Sequence, residues 1–210
     1  EIAVFGRCQL DWFYVGYGSG GEVHAPYKVN LMEGLKNAGA KYNQKLADTY
    51  VSWTGEEDNR ADHGWWGHWP MNYPEMPLTG GMVKSAAATS KTAVIVIGRA
   101  AGEDRENVLE KGSYYLTDEE RAMLSAVTAE FQHTVVILNI GSVMDMGWME
   151  AYREKLSAVL IAWQGGMESG NALCDVLYGR VNPCGKLPDT IARRYEDYPS
   201  AANFGDPVRN

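Results

Sequence analysis

The strongest constraint on the fold is a set of continuous apolar runs that end in glycine. The run at residues 92–97, TAVIVI, is rich in β-branched side chains and has no polar alternation, and Gly98 follows it. Two further runs, at 134–140 and 157–163, also lead into glycine. A strand without a polar side is typically buried on both faces. These runs therefore predict a sheet that is covered on each side.

Amphipathic segments separate the apolar runs and predict helices. Thr117-Asp118-Glu119-Glu120 is a capping box, in which the first and last side chains close the first turn of a helix. The predicted elements are strands at 2–5, 92–97, 134–140 and 157–163, an edge strand at 186–191, and helices at 29–38, 81–90, 118–132 and 167–178. Strands that alternate with helices specify a mostly parallel sheet with helices on both faces. We predict an α/β fold: a three-layer sandwich with a mostly parallel, doubly wound sheet of about five or six strands.

The composition limits the classes of partner. Hydrophobic residues make up 45% of the chain and charged residues 22%, as in an ordinary globular domain. The formal charge of −8 argues against nucleic acid or an anionic membrane as the main partner. No apolar run approaches the roughly 20 residues that span a bilayer. We expect one domain over residues 1–210, and no membrane or nucleic-acid partner.

The termini and the cysteines suggest the origin of the chain. The sequence begins with Glu1 rather than Met and ends in a polar stretch at Asn210, so we expect a piece of a larger protein. Cys8, Cys174 and Cys184 are too few and too scattered for a disulfide framework or a metal site, so we expect reduced thiols. The absence of a disulfide framework and of a signal segment favours a cytoplasmic location.

A glycine-rich loop at residues 7–27 contains the sequence GYGSGG. A dinucleotide-binding fingerprint places its glycines directly between a strand and a helix. Here about ten residues come between the strand and these glycines. A backbone that closely approaches another chain or a sugar explains the glycines better. A flavodoxin- or Rossmann-like nucleotide-binding domain remains an alternative.

A second loop, predicted at residues 53–78, holds four tryptophans, two histidines and three prolines. Indole rings stack on sugar rings, so Trp65 and Trp66 predict a carbohydrate subsite. The alternative is a loop that its aromatic side chains fix to the core. His63 and His68 have no third ligand beside them, so we predict neither a metal site nor a cofactor.

Four charged residues follow the run at 92–97: Glu103, Asp104, Arg105 and Glu106. Ligands of open α/β sheets collect beyond the carboxyl ends of the strands. A carboxylic acid that donates a proton needs a raised pKa, and the acidic neighbours of Glu103 act in that direction, whereas Arg105 opposes it. Two interpretations remain from the residues alone: a proton-transferring carboxylate, or a solvated loop with local ion pairs. Serine-hydrolase, P-loop, HExxH and CxxC motifs are absent.

Longer motifs carry a resemblance to a known family. The specific ones are the pair GRAAGED and GSYYLTDEE, and the run QGGMESGNALCDVLYGRVNPCGKLP, supported by IAVFG, VNLMEGLKNAG and WWGHWPMNYPEMPL. Together they resemble the second domain, the (αβ)6 sandwich, of family 3 glycoside hydrolases, the β-glucosidases. One departure is Cys184, where we expect serine. The resemblance implies a fragment of a larger glycosidase that lacks its TIM barrel.

The resemblance also implies a reaction and a division of roles. Family members hydrolyse terminal β-D-glucosyl residues with retention, through two carboxylates. The nucleophile is an aspartate of the TIM-barrel domain and is absent from this chain, so we expect the isolated domain to be inactive on β-glucosides or oligosaccharides. Glu103 matches the general acid/base, with Glu106 as the fallback. We place four further residues in the sugar pocket: Asp104, Arg105, Trp65 and Trp66. A carbohydrate-binding module without catalysis is the alternative.

Overall fold

The central layer of the protein is a parallel sheet. The structure is a computed structural model and describes residues 1–21, 24–204 and 208. The four strands of the sheet, in chain order, are β1 (Ile2–Phe5), β2 (Thr92–Arg99), β3 (His133–Ile140) and β4 (Leu156–Ile161). They are also neighbours in that order. The predicted strand positions therefore hold to within two residues at each end for these four.

The predicted count of five or six strands is too high, because the described residues form four. The predicted edge strand at 186–191 is irregular, and almost all of this segment is exposed. Pro188 lies in its middle and lacks the N–H that a ladder requires, which explains why the segment does not extend the sheet. The outer edge of β4 consequently has no strand beside it in the part of the chain that the structure describes.

Helices cover both faces of the sheet. They are α1 (Leu31–Asn37), α2 (Gln44–Gly55), α3 (Gly80–Ala87), α4 (Asp118–Glu130), α5 (Met149–Tyr152) and α6 (Ser169–Leu177). Helices α3, α4 and α5 pack on one face and α1 and α6 on the other, while α2 borders β1. The α/β three-layer sandwich is thus confirmed. None of the helices in the described residues has the length and apolar content to cross a membrane.

The chain order explains this distribution. A right-handed connection between adjacent parallel strands places its helix on one particular face. Because the chain advances through the sheet in one direction, α3, α4 and α5 all lie on that same face. The other face is left to the first and last helices, α1 and α6. Both faces are covered, as in the predicted doubly wound sheet, although the strand order does not reverse.

Helix α2 was not predicted, and Trp53 belongs to it rather than to the following loop. Only three of its side chains are buried, Leu46, Ala47 and Tyr50, so its apolar periodicity is weak. Its beginning does carry a signal, because the Asn43 side chain accepts the Leu46 N–H at 2.9 Å. The tryptophan-rich loop therefore begins at residue 56, after the helix ends.

Helices α1 and α6 approach each other at glycines. A methyl group on Gly34 would lie 2.3 Å from the carbonyl oxygen of Gly170, and one on Gly170 would lie 1.9 Å from that of Asn30. Leu31 and Leu35 of α1 are fully buried. Helices that meet at small residues can bring their backbones this close, so any side chain at these two glycines would separate the helices.

Arg99, the last residue of β2, closes the base of the segment that leads to α4. Its Nη1 and Nη2 atoms lie 2.6 and 2.7 Å from the two carboxylate oxygens of Glu120. It also donates to the carbonyl oxygens of Ser113 and Tyr115. The side chains are 1% and 6% exposed. The segment between β2 and α4 therefore has its two ends joined by one buried ion pair, Arg99 with Glu120.

Glu120 also completes the predicted capping box. Its carboxylate accepts the N–H of Thr117 at 2.8 Å, and its own N–H donates to Thr117 Oγ1 at 3.1 Å. The capping box is confirmed. One carboxylate thus both starts α4 and neutralises Arg99.

The ion pair predicts a large effect of Glu120→Ala. The change leaves Arg99 buried without a counterion, and we expect the free energy of unfolding to fall by about 3–5 kcal/mol in urea titrations of the chain. Glu119→Ala is the matched control, because Glu119 lies in the same helical turn but is exposed. Glu119→Ala should lower the free energy of unfolding by less than about 1 kcal/mol. Equal effects of the two variants would contradict the role of the pair.

The contact between α1 and α6 predicts that Gly34→Ala lowers the free energy of unfolding by about 1–3 kcal/mol through overpacking. Gly55→Ala is the control, because Gly55 ends α2 and an added methyl group there would have no neighbour within 4 Å in the part of the chain that the structure describes. That variant should be neutral or more stable by up to about 1 kcal/mol. Denaturant unfolding of both variants measures the difference, and a neutral Gly34→Ala would refute the close approach.

Candidate active site

Glu103 lies in a turn just beyond the carboxyl end of β2, where sequence reasoning placed it. The Tyr17 N–H donates to the Ala101 carbonyl oxygen at 2.7 Å, and the Glu103 N–H donates to the Tyr17 carbonyl oxygen at 3.1 Å. Tyr17 and Gly102 thereby form a short parallel bridge. The glycine loop and the acidic turn, 84 residues apart in sequence, are joined by main-chain hydrogen bonds.

The glycine loop comes close to the acidic turn itself. Gly18 has φ +111°, and a Cβ there would lie 2.5 Å from the Glu103 Cβ. A Cβ at Gly16 would lie 3.1 Å from the Ala101 carbonyl oxygen. The close backbone approach inferred from the glycines is therefore present, and its partner is another segment of the same chain. Residues 22 and 23 of the predicted loop lie outside the described residues.

One oxygen of the Glu103 carboxylate is held by Ser19. Glu103 Oε2 accepts the Ser19 N–H at 2.9 Å and the Ser19 Oγ–H at 2.6 Å. The other oxygen, Oε1, has no hydrogen-bond partner among the described residues, and the side chain is exposed. The hydroxyl and then the amide of Ser19 stabilise the ionised form and lower the pKa of Glu103. The pKa is thus lowered, whereas the acidic neighbours had predicted a rise.

The three other charged residues of the turn do not pair with Glu103. Asp104 is exposed and has φ +56°, which fits its place in a tight turn. Arg105 donates from Nε to the Trp69 carbonyl oxygen at 3.0 Å and so connects the turn to the tryptophan loop. Within the part of the chain that the structure describes, no side chain bonds to that of exposed Glu106. The predicted local ion pairs are therefore not formed.

The tryptophan-rich loop has a buried and an exposed part. Trp69 is buried and stacks on Tyr17 with ring centroids 5.7 Å apart. Trp66 meets Trp69 edge to face, and Trp65 stacks on His68 at 3.9 Å. Trp65 and Trp66 remain 67% and 50% exposed. The loop is thus fixed by its inner aromatic residues, and its outer pair presents indole faces to solvent.

A chain of hydrogen bonds runs behind these aromatic side chains. The Tyr17 hydroxyl lies 2.6 Å from the Tyr73 hydroxyl, which lies 2.9 Å from His63 Nδ1. Phe13 stacks on the Tyr73 ring with centroids 5.0 Å apart. His63 therefore belongs to a polar network that supports Tyr17.

Arg7 and Glu75 fix the base of the tryptophan loop. The Arg7 guanidinium donates to the carbonyl oxygens of Pro74 and Asn59, both at distances below 3 Å. Glu75 accepts the Arg7 N–H, and burial raises the pKa of Glu75 to about 8. Sequence reasoning missed these residues, because nothing along the chain indicates that they meet.

Asn139 connects three segments at the carboxyl edge of the sheet. Its Nδ2 donates to the carbonyl oxygens of Phe13 and Trp163 at 2.9 and 2.8 Å, and its Oδ1 accepts the Phe13 N–H at 2.7 Å. It is fully buried near the end of β3. A single amide within the apolar run VVILNI was the available signal. For Ser19, which was also missed, the only signal was a serine between glycines.

Comparisons with known proteins place the chain in a family. Residues 1–209 match the glycosyl hydrolase family 3 C-terminal domain. The chain is 45% identical to a beta-glucosidase of Ruminococcus albus over 96% of its own length and 21% of that protein's. It is 36% identical to beta-glucosidase A of Butyrivibrio fibrisolvens, covering 97% of this chain and 26% of the relative.

Solved structures agree. A beta-glucosidase from Paenibacillus barengoltzii superimposes with a TM-score of 0.93 at 45% identity, over 97% of this chain and 22% of that one. Beta-glucosidase 3B from Thermotoga neapolitana, solved in complex with glucose, gives 0.84 at 34% identity, over 98% and 29%. The chain thus spans less than a third of the length of these relatives. It belongs to glycosyl hydrolase family 3, as a C-terminal domain of that family.

Proposed function

We propose that this domain is the part of a retaining β-glucosidase that supplies the general acid/base, and that Glu103 is that residue. One observation carries the proposal. Glu103 is an exposed carboxylate beyond the carboxyl end of a central strand; Ser19 holds one of its oxygens, and the other has no hydrogen-bond partner among the described residues. The names of the relatives support a β-glucoside as the substrate class.

The retaining mechanism gives the carboxylate two tasks. Protonated Glu103 donates its proton to the glycosidic oxygen while a nucleophile forms the glycosyl-enzyme. The ionised carboxylate then takes a proton from the water that releases the sugar. The nucleophile is an aspartate in a TIM-barrel domain of the same longer protein. The 210 residues alone are therefore inactive and need that domain as their partner.

The hydrogen bonds from Ser19 suit the second task, because they stabilise the ionised carboxylate. The first task needs a higher pKa. Two changes in the longer protein would raise it: burial of Glu103 under the barrel, and the negative charge of the nucleophile at about 5–5.5 Å. The lowered pKa of Glu103 thus belongs to the domain without the barrel, in which the carboxylate is exposed.

Four neighbouring residues form part of the sugar pocket in this proposal. The exposed Asp104 carboxylate can accept hydrogen bonds from sugar hydroxyls. Arg105 donates to the Trp69 carbonyl oxygen through Nε, and no side chain or carbonyl oxygen of the described residues bonds to its Nη atoms. The exposed indole faces of Trp65 and Trp66 offer stacking surfaces for a terminal glucosyl residue or the next sugar.

The exposed tryptophans also favour a second candidate, a carbohydrate-binding module without a catalytic role. In that case Glu103 is an incidental surface residue. The two candidates differ in what happens to hydrolysis when the Glu103 carboxylate is removed.

Glu103→Ala in the full-length protein is expected to lower kcat/KM for a substrate with a poor leaving group by about 10²–10⁴-fold, because the leaving oxygen no longer receives a proton. An activated aryl β-glucoside needs less protonation, and added azide should restore turnover by attacking the glycosyl-enzyme. Steady-state rates with both substrates, with and without azide, measure this.

Glu106→Ala is the matched control, since Glu106 is an exposed carboxylate three residues away. It should keep nearly the full rate and show no azide rescue. Loss of activity in Glu106→Ala with a fully active Glu103→Ala would transfer the role to the fallback residue. Full activity of both variants would leave only the binding-module function.

A further inference from the structure

We propose that Gly18 and Ser19 form a cradle that fixes Glu103 Oε2, so that Oε1 is the oxygen that exchanges the proton. The inference rests on the proposed function of Glu103 and extends it to the glycine loop. Ser19 is a positioning residue, because it acts on the reaction through Glu103.

The first argument is the distribution of hydrogen bonds. Both donors of Ser19, the amide at 2.9 Å and the hydroxyl at 2.6 Å, point to the same carboxylate oxygen. A free carboxylate can rotate and present either oxygen. Two donors on one oxygen fix the rotation, and the remaining oxygen is left without a bond among the described residues.

The second argument is the shape of the loop at Gly18. Its φ of +111° is a conformation that residues with a side chain rarely adopt. A Cβ at this position would also lie 2.5 Å from the Glu103 Cβ and 2.9 Å from its Oε2. Glycine is therefore required at position 18 for two reasons, its backbone conformation and the lack of space for a side chain. This close approach places the two donors of Ser19 beside the Glu103 carboxylate.

The third argument is the main-chain register. Main-chain hydrogen bonds join Tyr17, the residue before Gly18, to Ala101 and to Glu103. The Tyr17 ring stacks on buried Trp69, and Trp69 in turn accepts from Arg105. Ser19 thus meets Glu103 through a position that the backbone and the core set, not only through its own hydroxyl.

The surrounding charges do not replace Ser19. The ionisable groups of the turn itself are Asp104, Arg105 and Glu106. Two residues that contact the turn are Tyr17, which carries a phenol, and Trp69, which follows His68 in sequence. In the part of the chain that the structure describes, none of these side chains bonds to the Glu103 carboxylate. Loss of the hydroxyl donor therefore destabilises the ionised form.

The test is the pH dependence of kcat/KM in the full-length protein. Ser19→Ala should lower the maximum about tenfold, because a hydrogen bond to a charged group is lost. Its alkaline limb, which reports the proton donor, should move to higher pH, while the acidic limb stays in place. Ser19→Thr keeps a hydroxyl and should restore both properties. A profile of Ser19→Ala that matches the unmodified protein would overturn the proposal.

A pair of glycine variants tests the backbone part. Gly18→Ala should lower kcat/KM more than Ser19→Ala, because the strain of a side chain at φ +111° adds to the clash with Glu103. Circular dichroism at the assay temperature checks that the variant remains folded. Gly20→Ala should be fully active, because no atom of the described residues lies within 4 Å of an added methyl group there. Equal activity of Gly18→Ala and Gly20→Ala would refute the cradle. An active Glu103→Ala would instead refute the proposed function, whereas an inactive Glu103→Ala beside an unchanged Ser19→Ala would refute the cradle alone.

Discussion

Arg99 and Glu120 form an ion pair that is almost entirely buried, and the segment with Glu103 lies between them in sequence. Arg99 ends β2 and Glu120 lies in the first turn of α4. A charge at this depth is stable only with its partner, so neither end of the segment can detach without leaving a charge unpaired in the core. The acidic turn is therefore exposed at its tip and fixed at its base.

The tip is positioned by contacts from other parts of the chain. Tyr17 joins it through the main chain, Trp69 packs beside it, and Ser19 holds one carboxylate oxygen. Asn139 fixes the start of the glycine loop to the ends of two strands. These contacts hold the Glu103 carboxylate in one orientation, and its Oε1 atom has no hydrogen-bond partner among the described residues.

Sequence reasoning found what depends on local patterns. The four strands, the capping box at Thr117 and the place of Glu103 all follow from residues adjacent in the chain. It missed what depends on distant pairs. Nothing near Ser19 indicates that Glu103 will bind it, and hydrogen bonds from Ser19 lower the pKa of Glu103, whereas its acidic neighbours predicted a rise. The predicted edge strand at 186–191 is wrong, because Pro188 at its centre has no N–H to donate to a sheet.

The contact of α1 with α6 has a consequence for synthesis of the chain. The two helices are more than 130 residues apart in sequence, yet together they cover one face of the sheet. During translation, β1, β2 and β3 exist before α6 has been made, so part of that face stays open to water. Contacts between such distant segments also slow folding. A chain that stops before residue 169 would leave this apolar face exposed. The nascent chain is therefore prone to aggregation until α6 has been made and has packed on the sheet.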